Sequence, residues 1–512
     1  MIPHVNSPVK GDYKIVMNVL YFGRKQSPVQ LFYRKSAAVA ALFVFHIFSG
    51  RCFPVRSSFA VLRDPGFLRK LWVIAVPIAL QNLINFGVTA ADTIMVGRLG
   101  EVQFSAVAVS NQLTILYMVT SLGVAAGCGV LAAQYWGADN KQKVREIIAF
   151  MYRVMALVTL FFAGVAFFFP EYVLRFIIPD HPEVIAEGVR YLRIMAVGYL
   201  FFGFTTAGVA VLRSTGTVKI AVVVSSVSLV VSVFLNYALI FGRFGFPALG
   251  VPGAAIATSV ARLVECVILA VYLFRFEESV AFRIRHIFQP SEGVARSFAI
   301  HSSPVMVNEV GWALANFMVG VVVGRMGQEF VAANGIATLL VQFVGVAILG
   351  LASAAAAIVG NSIGAGAQEE AKRYANGMLA LSFLVGVAGF VVIQAVRLPV
   401  IYFYEISETA QFYARQITHA VSVNTIFHSI ALVAILGTLR GGGDTKFAML
   451  IDVVFVWLVA IPLGALAGLW FGWPVVIVYI ILRSEDLFKV GLVLWRIPRG
   501  KWLKDVREDA ES

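Results

Sequence analysis

The chain has 512 residues, of which 59% are hydrophobic and only 13% are charged. Soluble globular domains are about half apolar and carry roughly a quarter charged residues, so this composition excludes an ordinary soluble protein and a disordered chain. The net charge of +13 does not indicate a nucleic-acid-binding protein, because residues 1–70 hold 11 Lys and Arg against 2 Asp and Glu. The remaining body is nearly neutral and very apolar, which indicates an integral membrane protein.

Apolar stretches long enough to cross a bilayer recur from Leu71 onward. A transmembrane helix needs about 20 predominantly apolar residues, and lipid leaves the backbone of an open sheet without hydrogen-bond partners. We therefore predict an all-α integral membrane protein with twelve transmembrane helices. The predicted spans cover residues 71–96, 106–131, 147–169, 191–212, 220–242, 253–274, 298–323, 331–359, 374–396, 412–438, 447–469 and 474–495.

The loops between these spans predict the orientation of the chain. Loops on one side hold 18 Lys and Arg, and those on the other side hold 6. Because Lys and Arg accumulate in cytoplasmic loops, we expect a multi-pass protein of the cell inner (plasma) membrane with both termini in the cytoplasm. Residues 1–70 then form a basic cytoplasmic extension, interfacial or non-native, whose apolar segment 37–49 is too short to span. Residues 497–512 form a cytoplasmic tail.

An internal repeat organises the twelve spans. An offset of 227 residues relates Pro77 to Pro304, and the sequence VGRLG at 96–100 to VGRMG at 323–327. The same offset relates Arg213 to Arg440 and Lys219 to Lys446. The chain is thus predicted to contain two six-helix lobes, 71–290 and 291–496, which are parallel because six is an even number. Such repeats are typical of secondary transporters that rock one half against the other; the alternative is an inert duplicated bundle.

Motifs of enzymatic chemistry are missing from the sequence. It contains no GxxxxGK[ST], HExxH or CxxC pattern, and its three cysteines are far apart. We expect no enzyme, no cofactor and no metal site. Energy for transport would come from an ion gradient, with H⁺ or Na⁺ as the transported coupling ion.

Asp92 in the first span is the leading candidate for ion coupling. A charge inside the membrane costs about 2.5–3.5 kcal/mol on insertion scales, so an acid there is a functional hypothesis by default. A carboxylate that is alternately solvated and desolvated changes its affinity for protons and cations. Pro77, 15 residues earlier, removes a helix hydrogen bond and offers a hinge. The alternative is a capping aspartate at the helix end.

Other polar residues of the spans extend the list of candidates. Ser232 and Asn236 in span five offer neutral oxygens to a cation or interhelical hydrogen bonds to a neighbour. Glu309 in span seven and Asp452 in span eleven are candidates for the cavity of the C-terminal lobe, although Asp452 lies close enough to a loop to be an anchoring acid. We interpret the charged groups of spans six and twelve as structural ion pairs, with a role in substrate binding as the alternative: Arg262, Glu265, Arg483, Glu485, Asp486 and Lys489.

Several ordered motifs resemble the multidrug and toxic compound extrusion (MATE) family. They are Pro77, Asp92-Thr93 and VGRLG in and after the first span, LRSTG at 212–216, LRGGGDTK at 439–446, NY…FGRFG at 236–245, and GVPGAAIAT at 250–258. The resemblance covers residues 71–496. It implies an antiporter, likewise all-α, with a central cleft between two six-helix lobes.

The resemblance also implies roles for single residues. In the prokaryotic branch similar to DinF, Asp92 matches the coupling aspartate and Pro77 the proline of a bent first helix. Ser232 and Asn236 match a polar pair of span five, although some members carry Asp in place of Asn236, which leaves H⁺ and Na⁺ open. Tyr191 and Thr258 match further polar residues of the same site. The NorM-like branch places an acid in span ten, where this chain has none.

The predicted function is the export of drugs or amphipathic organic cations by an ion-coupled antiporter. The partners expected are small toxic molecules as substrate and the lipid bilayer, with no nucleic acid, and the chain is expected to act as a monomer. The alternatives are a flippase for lipid-linked saccharides of the same superfamily and a non-transporting membrane scaffold. Extra spans and an unpaired cationic cavity would favour the flippase.

Overall fold

The computed structural model describes residues 61–177, 182–289, 293–404 and 406–505. Within these ranges the chain is helical, and the sheet-type pairing is one isolated bridge between Gly443 and Leu503. Most of the basic extension and the last seven residues of the tail lie outside the described residues, so the predictions for those segments stay predictions.

Eleven helices in the described ranges are long and apolar enough to cross a membrane, which confirms an all-α, multi-pass membrane protein. We number them as follows: α1 Pro65–Gly97, α2 Glu101–Gly137, α3 Lys141–Phe168, α4 Pro182–Ser214, α5 Lys219–Phe241, α6 Val251–Phe276, α7 Val294–Arg325, α8 Gln328–Gly364, α9 Gln368–Phe403, α10 Glu408–Leu439 and α11 Thr445–Trp470. Short helices at Pro170–Ile177, after α3, and at Ile284–Phe288, before α7, were not predicted from the sequence.

The twelfth predicted span is interrupted. It consists of α12, Val475–Leu482, and α13, Glu485–Arg496, with Arg483 and Ser484 between them. The apolar run of α12 ends where Arg-Ser-Glu-Asp begins, and the Arg483 N–H donates to the carbonyl of Tyr479 at 3.1 Å and to that of Ile480 at 3.2 Å. A polar run inside a span is accommodated where neighbouring helices supply partners for it.

Local sequence signals set the ends of α1. The Asp64 carboxylate accepts hydrogen bonds from the N–H groups of Gly66 and Phe67, and Pro65 occupies the first turn. This is the preferred chemistry of a helix N-terminus, because the first N–H groups have no partner inside the helix. Pro77 lies inside α1 and removes one backbone hydrogen bond there, as the sequence predicts.

The helix bounds reproduce the repeat. The second helices of the two halves, α2 and α8, each have 37 residues, and both begin and end 227 residues apart. Each follows a glycine at φ +123°, Gly100 in the first repeat and Gly327 in the second. A residue with a side chain rarely adopts this conformation, so glycine is required at the turn that closes VGRLG and VGRMG. Two like-oriented six-helix repeats are therefore present.

The two repeats meet where α2 and α8 end, which we call the closed end. A side chain added at Gly137 would clash with the backbone of Asn361, and one added at Gly364 would clash with that of Gln134. The first half of α1 also packs here against α8, with Phe67, Leu71, Ile78 and Leu351 in one core cluster. Away from the closed end, toward the start of α8, a Cβ at Gly335 or Gly345 would have no neighbour within 4 Å.

The end of the chain reinforces the closed end. Trp502 is fully buried against Gly442, and the Lys504 N–H donates to the carbonyl of Gly442 at 2.8 Å. The Gln134 amide of the first repeat donates to the carbonyls of Gly441 at 3.3 Å and of Lys504 at 3.1 Å. The segment after α13 thus lies across the seam between the two repeats.

Candidate ion-coupling site

Asp92 faces α5, in the region where the sequence places the coupling residues. Its Oδ1 accepts hydrogen bonds from the Asn236 Nδ2 at 2.5 Å and from the Ser232 Oγ at 3.3 Å. Asp92 is half-buried, whereas Ser232 and Asn236 are each 1% exposed. The carboxylate thus points toward a neighbouring helix rather than into lipid or bulk solvent.

The helical repeat of α5 brings its two polar residues together. Ser232 and Asn236 are four residues apart and lie on one face of the helix, with 3.4 Å between the Asn236 Nδ2 and the Ser232 Oγ. The Asn236 Oδ1 is buried and has no hydrogen-bond partner. The site therefore contains one carboxylate, one hydroxyl and one amide whose oxygen is available for a further donor or a cation.

A group of tyrosines packs beside the carboxylate. Tyr191 of α4 is 5% exposed and interacts electrostatically with Asp92 and Tyr199. The Tyr199 hydroxyl bonds to Thr114 at 2.8 Å, and the Tyr117 hydroxyl donates to the Tyr199 carbonyl at 2.7 Å. Hydroxyl contacts of these rings thus join α2 to α4.

The sixth helix contributes a cation, Arg262, that the sequence analysis interpreted as part of a structural ion pair. Arg262 does pair with Glu265, at 3.1 Å and 2.9 Å to the two carboxylate oxygens, and its guanidinium lies 5.0 Å from the Phe202 ring centre. It also interacts electrostatically with Asp92, which the spacing along the chain did not reveal. Thr258, one turn before Arg262, is half-buried and makes no hydrogen bond with Asp92 in the described ranges.

The candidates of the second repeat are paired with cations. The Glu309 carboxylate accepts from the Arg440 Nη1 at 2.6 Å, and Asp452 accepts from the Lys489 Nζ at 2.6 Å. Their role in a cavity stays a prediction. Among the described residues no group of three or more His, Cys, Asp and Glu is arranged to hold a metal ion.

Comparison with known families identifies the fold and the family. The MatE family profile matches residues 77–238 and 304–466, one match in each repeat. The chain belongs to the MatE family. The recognised MATE resemblance and the twelve-span, two-repeat fold class are thereby confirmed.

Relatives of this MatE protein are named as multidrug resistance proteins. The probable multidrug resistance protein NorM of Thermotoga maritima is 25% identical over 86% of this chain and 94% of that protein. The probable multidrug resistance protein YoeA of Bacillus subtilis is 24% identical over 80% of this chain and 91% of that one. A NorM of Rhizobium meliloti is 27% identical over 80% and 90%.

Solved structures share the fold of this MatE protein. A crystal structure of MATE in complex with MaL6 superposes with a TM-score of 0.77 at 18% identity, covering 84% of this chain and 96% of that chain. An outward-facing conformation of a multidrug resistance MATE family transporter gives the same TM-score, identity and coverage.

The repeat also relates two arginine contacts near the closed end of this MatE protein. Arg213, at the end of α4, donates to the Gln81 Oε1 of α1 at 2.7 Å. Its counterpart Arg440, at the end of α10, donates to Glu309 of α7. In each half, the end of the fourth helix thus contacts the first helix of the same half. The contact lies four residues after Pro77 in the first repeat and five residues after Pro304 in the second.

Proposed function

We propose that this MatE protein is an ion-coupled antiporter that exports drugs or amphipathic organic cations across the plasma membrane. Asp92 is the coupling residue, Ser232 and Asn236 are its direct partners, and Tyr191 and Thr258 belong to the surrounding site. The names of the relatives support multidrug export, and the buried partners of Asp92 support ion coupling at this carboxylate.

The single observation that carries this proposal is the contact of Asp92 with α5. The carboxylate on α1 holds two donors of another helix, so its charge state determines how strongly the two helices are joined. Protonation removes the negative charge that attracts the Asn236 and Ser232 donors, and charge-assisted hydrogen bonds are the stronger ones. A cation bound at Asp92 therefore weakens the α1–α5 contact and allows α1 to bend at Pro77.

The side-chain atoms available to bind an ion at Asp92 favour a proton as the coupling ion. The described site offers one carboxylate, and its Oδ1 already accepts two hydrogen bonds. A hard metal cation prefers several oxygen ligands at once, whereas a proton needs only one. The guanidinium of Arg262, which interacts with Asp92, further disfavours a second fixed cation in the same hollow.

The closed end indicates which side of the membrane the described conformation is closed to. The loops at this end carry the excess of Lys and Arg, which we assign to the cytoplasm. Contacts between α2 and α8 at Gly137 and Gly364 then seal the cytoplasmic side. We infer that in this conformation the cleft between the lobes opens to the outside, and that rocking of the lobes produces the opposite state.

Ethidium efflux in a host that lacks its own drug pumps tests the proposal. Asp92→Asn keeps the shape of the side chain and removes its charge, so we expect efflux to fall at least tenfold. Glu171→Gln is the matched control, because Glu171 is an exposed acid of the short helix after α3 and pairs with Arg175. Undiminished, uncoupler-sensitive efflux in Asp92→Asn refutes the role of Asp92.

The coupling ion is tested in vesicles that contain the purified protein. Addition of ethidium should change the internal pH, as reported by a trapped dye, and should not move ²²Na⁺. Sodium movement that depends on ethidium, without a change in pH, contradicts proton coupling while leaving the role of Asp92 intact.

A further inference from the structure

A second cluster of buried and half-buried polar side chains lies in the second repeat, apart from Asp92 and its partners. Its members come from α10, α11, the break after α12, and α13: Asn424, His428, Asp452, Arg483, Glu485, Asp486 and Lys489. The sequence analysis interpreted the charged residues of the last span as structural ion pairs, with a role in substrate binding as the alternative.

The interrupted last span brings acids into the helix bundle. Glu485 and Asp486 occupy the first turn of α13, where unpaired N–H groups favour negative charge. Their exposure is 8% and 4%, and that of Lys489, one turn later, is 4%. Buried charges are tolerated only when partners compensate them.

His428 of α10 supplies one of these partners. Its Nδ1 lies 3.1 Å from the Asp486 Oδ2 and 3.3 Å from the Oδ1. The Asn424 amide, one turn earlier on α10, donates to the Asp486 Oδ2 at 2.8 Å. One face of α10 thus binds the carboxylate of α13 with an amide and an imidazole, of which only the imidazole titrates near neutral pH.

The remaining contacts leave the charges of the cluster unbalanced. Lys489 neutralises Asp452 across 2.6 Å between its Nζ and Oδ1. Arg483 bonds to Tyr479 and lies near both Glu485 and Asp486. Three acids therefore face two permanent cations, and the buried Glu485 Oε2 has no hydrogen-bond partner. One added proton balances the charge of the cluster.

We propose that this cluster is a proton-binding site of the second repeat, in which His428 takes up the proton and holds it against Asp486. The proton comes from water and returns to it, and no other bond is made or broken. The charged groups that face His428 are Asp486, Lys489 and Arg483. On the side of α9, the neighbouring contact is neutral, a hydrogen bond from the Ser429 hydroxyl to the Ser382 carbonyl.

Protonation of His428 controls the contact between α10 and α13. The imidazolium forms an ion pair with Asp486, whereas the neutral ring offers one ordinary hydrogen bond. The second repeat thereby responds to pH without Asp92, which shares no contact with the cluster in the described ranges. This inference does not rest on the proposed transport function, since proton binding is measurable at equilibrium.

Histidine-selective ¹³C and ¹⁵N NMR of the full chain in lipid nanodiscs tests the site, with the His428 signal assigned from His428→Gln. We expect His428 to change its protonation state between pH 5 and 9. In Asp486→Asn its proton affinity should fall at least tenfold, because the carboxylate that stabilises the imidazolium is lost. A single protonation state across this range, or an unchanged midpoint in Asp486→Asn, overturns the proposal.

The same spectra contain an internal control. His419 lies on α10 nine residues earlier and contacts the Gln394 amide at 2.7 Å, so its midpoint should not move in Asp486→Asn. If that variant does not fold, Lys489→Gln replaces it, with a rise in the proton affinity of His428 expected because one of the positive charges that face it is removed. An unchanged His428 midpoint there also overturns the proposal.

Two further measurements distinguish a proton site at His428 from a sodium site and from an effect of Asp92. Exchange of K⁺ for Na⁺ at constant pH should leave the His428 midpoint in place, and a sodium-dependent shift overturns the assignment of a proton as the ligand. The titration should persist in Asp92→Asn, and its loss there overturns the independence of the two sites. Efflux by Asp92→Asn, in contrast, tests only the proposed transport function.

Discussion

In the proposed coupling site of the first repeat, one residue bears on the choice of ion. Asn236 contributes an amide where a second carboxylate would make the site attractive to a metal cation. Its Nδ2 donates to Asp92, and its Oδ1 stays buried without a partner. Under the proposed function, we therefore expect the identity of this one residue to decide between a site suited to a proton and one suited to sodium.

The variant Asn236→Asp tests this distinction. It adds a second carboxylate within hydrogen-bonding reach of Asp92, and two such groups attract a cation more strongly than one. We expect the sodium-stimulated share of ethidium efflux to rise several-fold over that of the parent chain. Asn236→Ala is the control, since it also removes the amide but adds no charge. Equal sodium responses in the two variants contradict the argument.

A histidine in the segment between the repeats predicts a pH-dependent stability. His286 is 7% exposed, and its Nδ1 accepts the Arg283 N–H at 3.0 Å. Burial, followed by the charges of Arg145, Arg285 and Arg283, lowers the pKa of His286 below its ordinary value of 6.5. Above pH 6.5 the ring is neutral in the folded and the unfolded segment. As pH falls below 6.5 the unfolded segment takes up the proton first, so stability is lost.

Hydrogen exchange at the Arg283 amide measures this loss. After correction for the intrinsic pH dependence of exchange, its protection should decrease from pH 7.5 to pH 5.5. In His286→Asn the side-chain oxygen accepts the same N–H without titrating, so protection should vary little with pH. A pH dependence that survives in His286→Asn shows that another group is responsible.

At the scale of whole helices, interruptions lie close to the polar contacts. Pro77 breaks the hydrogen-bond ladder of α1 between the closed end and Asp92. The second repeat contains π-helical turns at Val433–Leu439 in α10 and at Val456–Ala460 and Leu466–Trp470 in α11. Such turns weaken a helix locally and are frequent at functional sites. The helices that carry Asp92, His428 and Asp452 thus each contain a proline or a π-helical turn at which the helix can bend.

Pro77→Ala tests the hinge in α1. Alanine restores the missing N–H donor and removes the ring clash, a difference of about 3 kcal/mol in favour of a continuous helix. We expect efflux to fall severalfold while the melting temperature is unchanged or higher. Pro399→Ala is the matched control, because Pro399 also lies inside a helix, α9, but is exposed and far along the chain from Asp92. Similar losses in both variants contradict a specific hinge.

At the scale of the whole molecule, the two repeats are held together mainly at one end. Glycines at equivalent positions of the two repeats, Gly137 and Gly364, let α2 and α8 approach closely. The backbone of each helix occupies the space that a Cβ on the glycine of the other helix would need. The C-terminal segment adds a bridge, since Gln134 bonds to both Gly441 and Lys504. Separation of the repeats at this end requires these contacts to break together, which favours a two-state motion.

Gly364→Val should prevent this approach, because its side chain would overlap the Gln134 backbone. We expect a cysteine at the buried position Ala133, in a chain whose native cysteines are replaced by serine, to react with a maleimide at least tenfold faster in the Gly364→Val background. Gly345→Val on the same helix is the control, because nothing lies within 4 Å of its Cβ position. Unchanged reactivity in Gly364→Val means that this glycine contact does not keep the repeats closed.

Much of the fold follows from the sequence, and for identifiable reasons. Hydropathy reports which segments prefer lipid, so the helices around Asp92 and Asn236 were correctly predicted. The 227-residue offset revealed the repeat, because duplicated turns such as Gly100 and Gly327 share one backbone requirement. The proximity of Ser232 and Asn236 follows from helical spacing alone. Their contact with Asp92 was expected through the family resemblance, and the structure provides its geometry.

Contacts between distant segments were decided by the tertiary structure. The pairing of Glu309 with Arg440 and of His428 with Asp486 joins residues 131 and 58 positions apart. Helical periodicity in the sequence does not reveal such pairs, because each side chain fits its own helix equally well whichever residue it contacts. The interruption at Arg483 depends on them too, since a polar run leaves the lipid only when neighbouring helices compensate its charges. Sequence alone thus determined which segments enter the membrane, while packing decided which charges meet there.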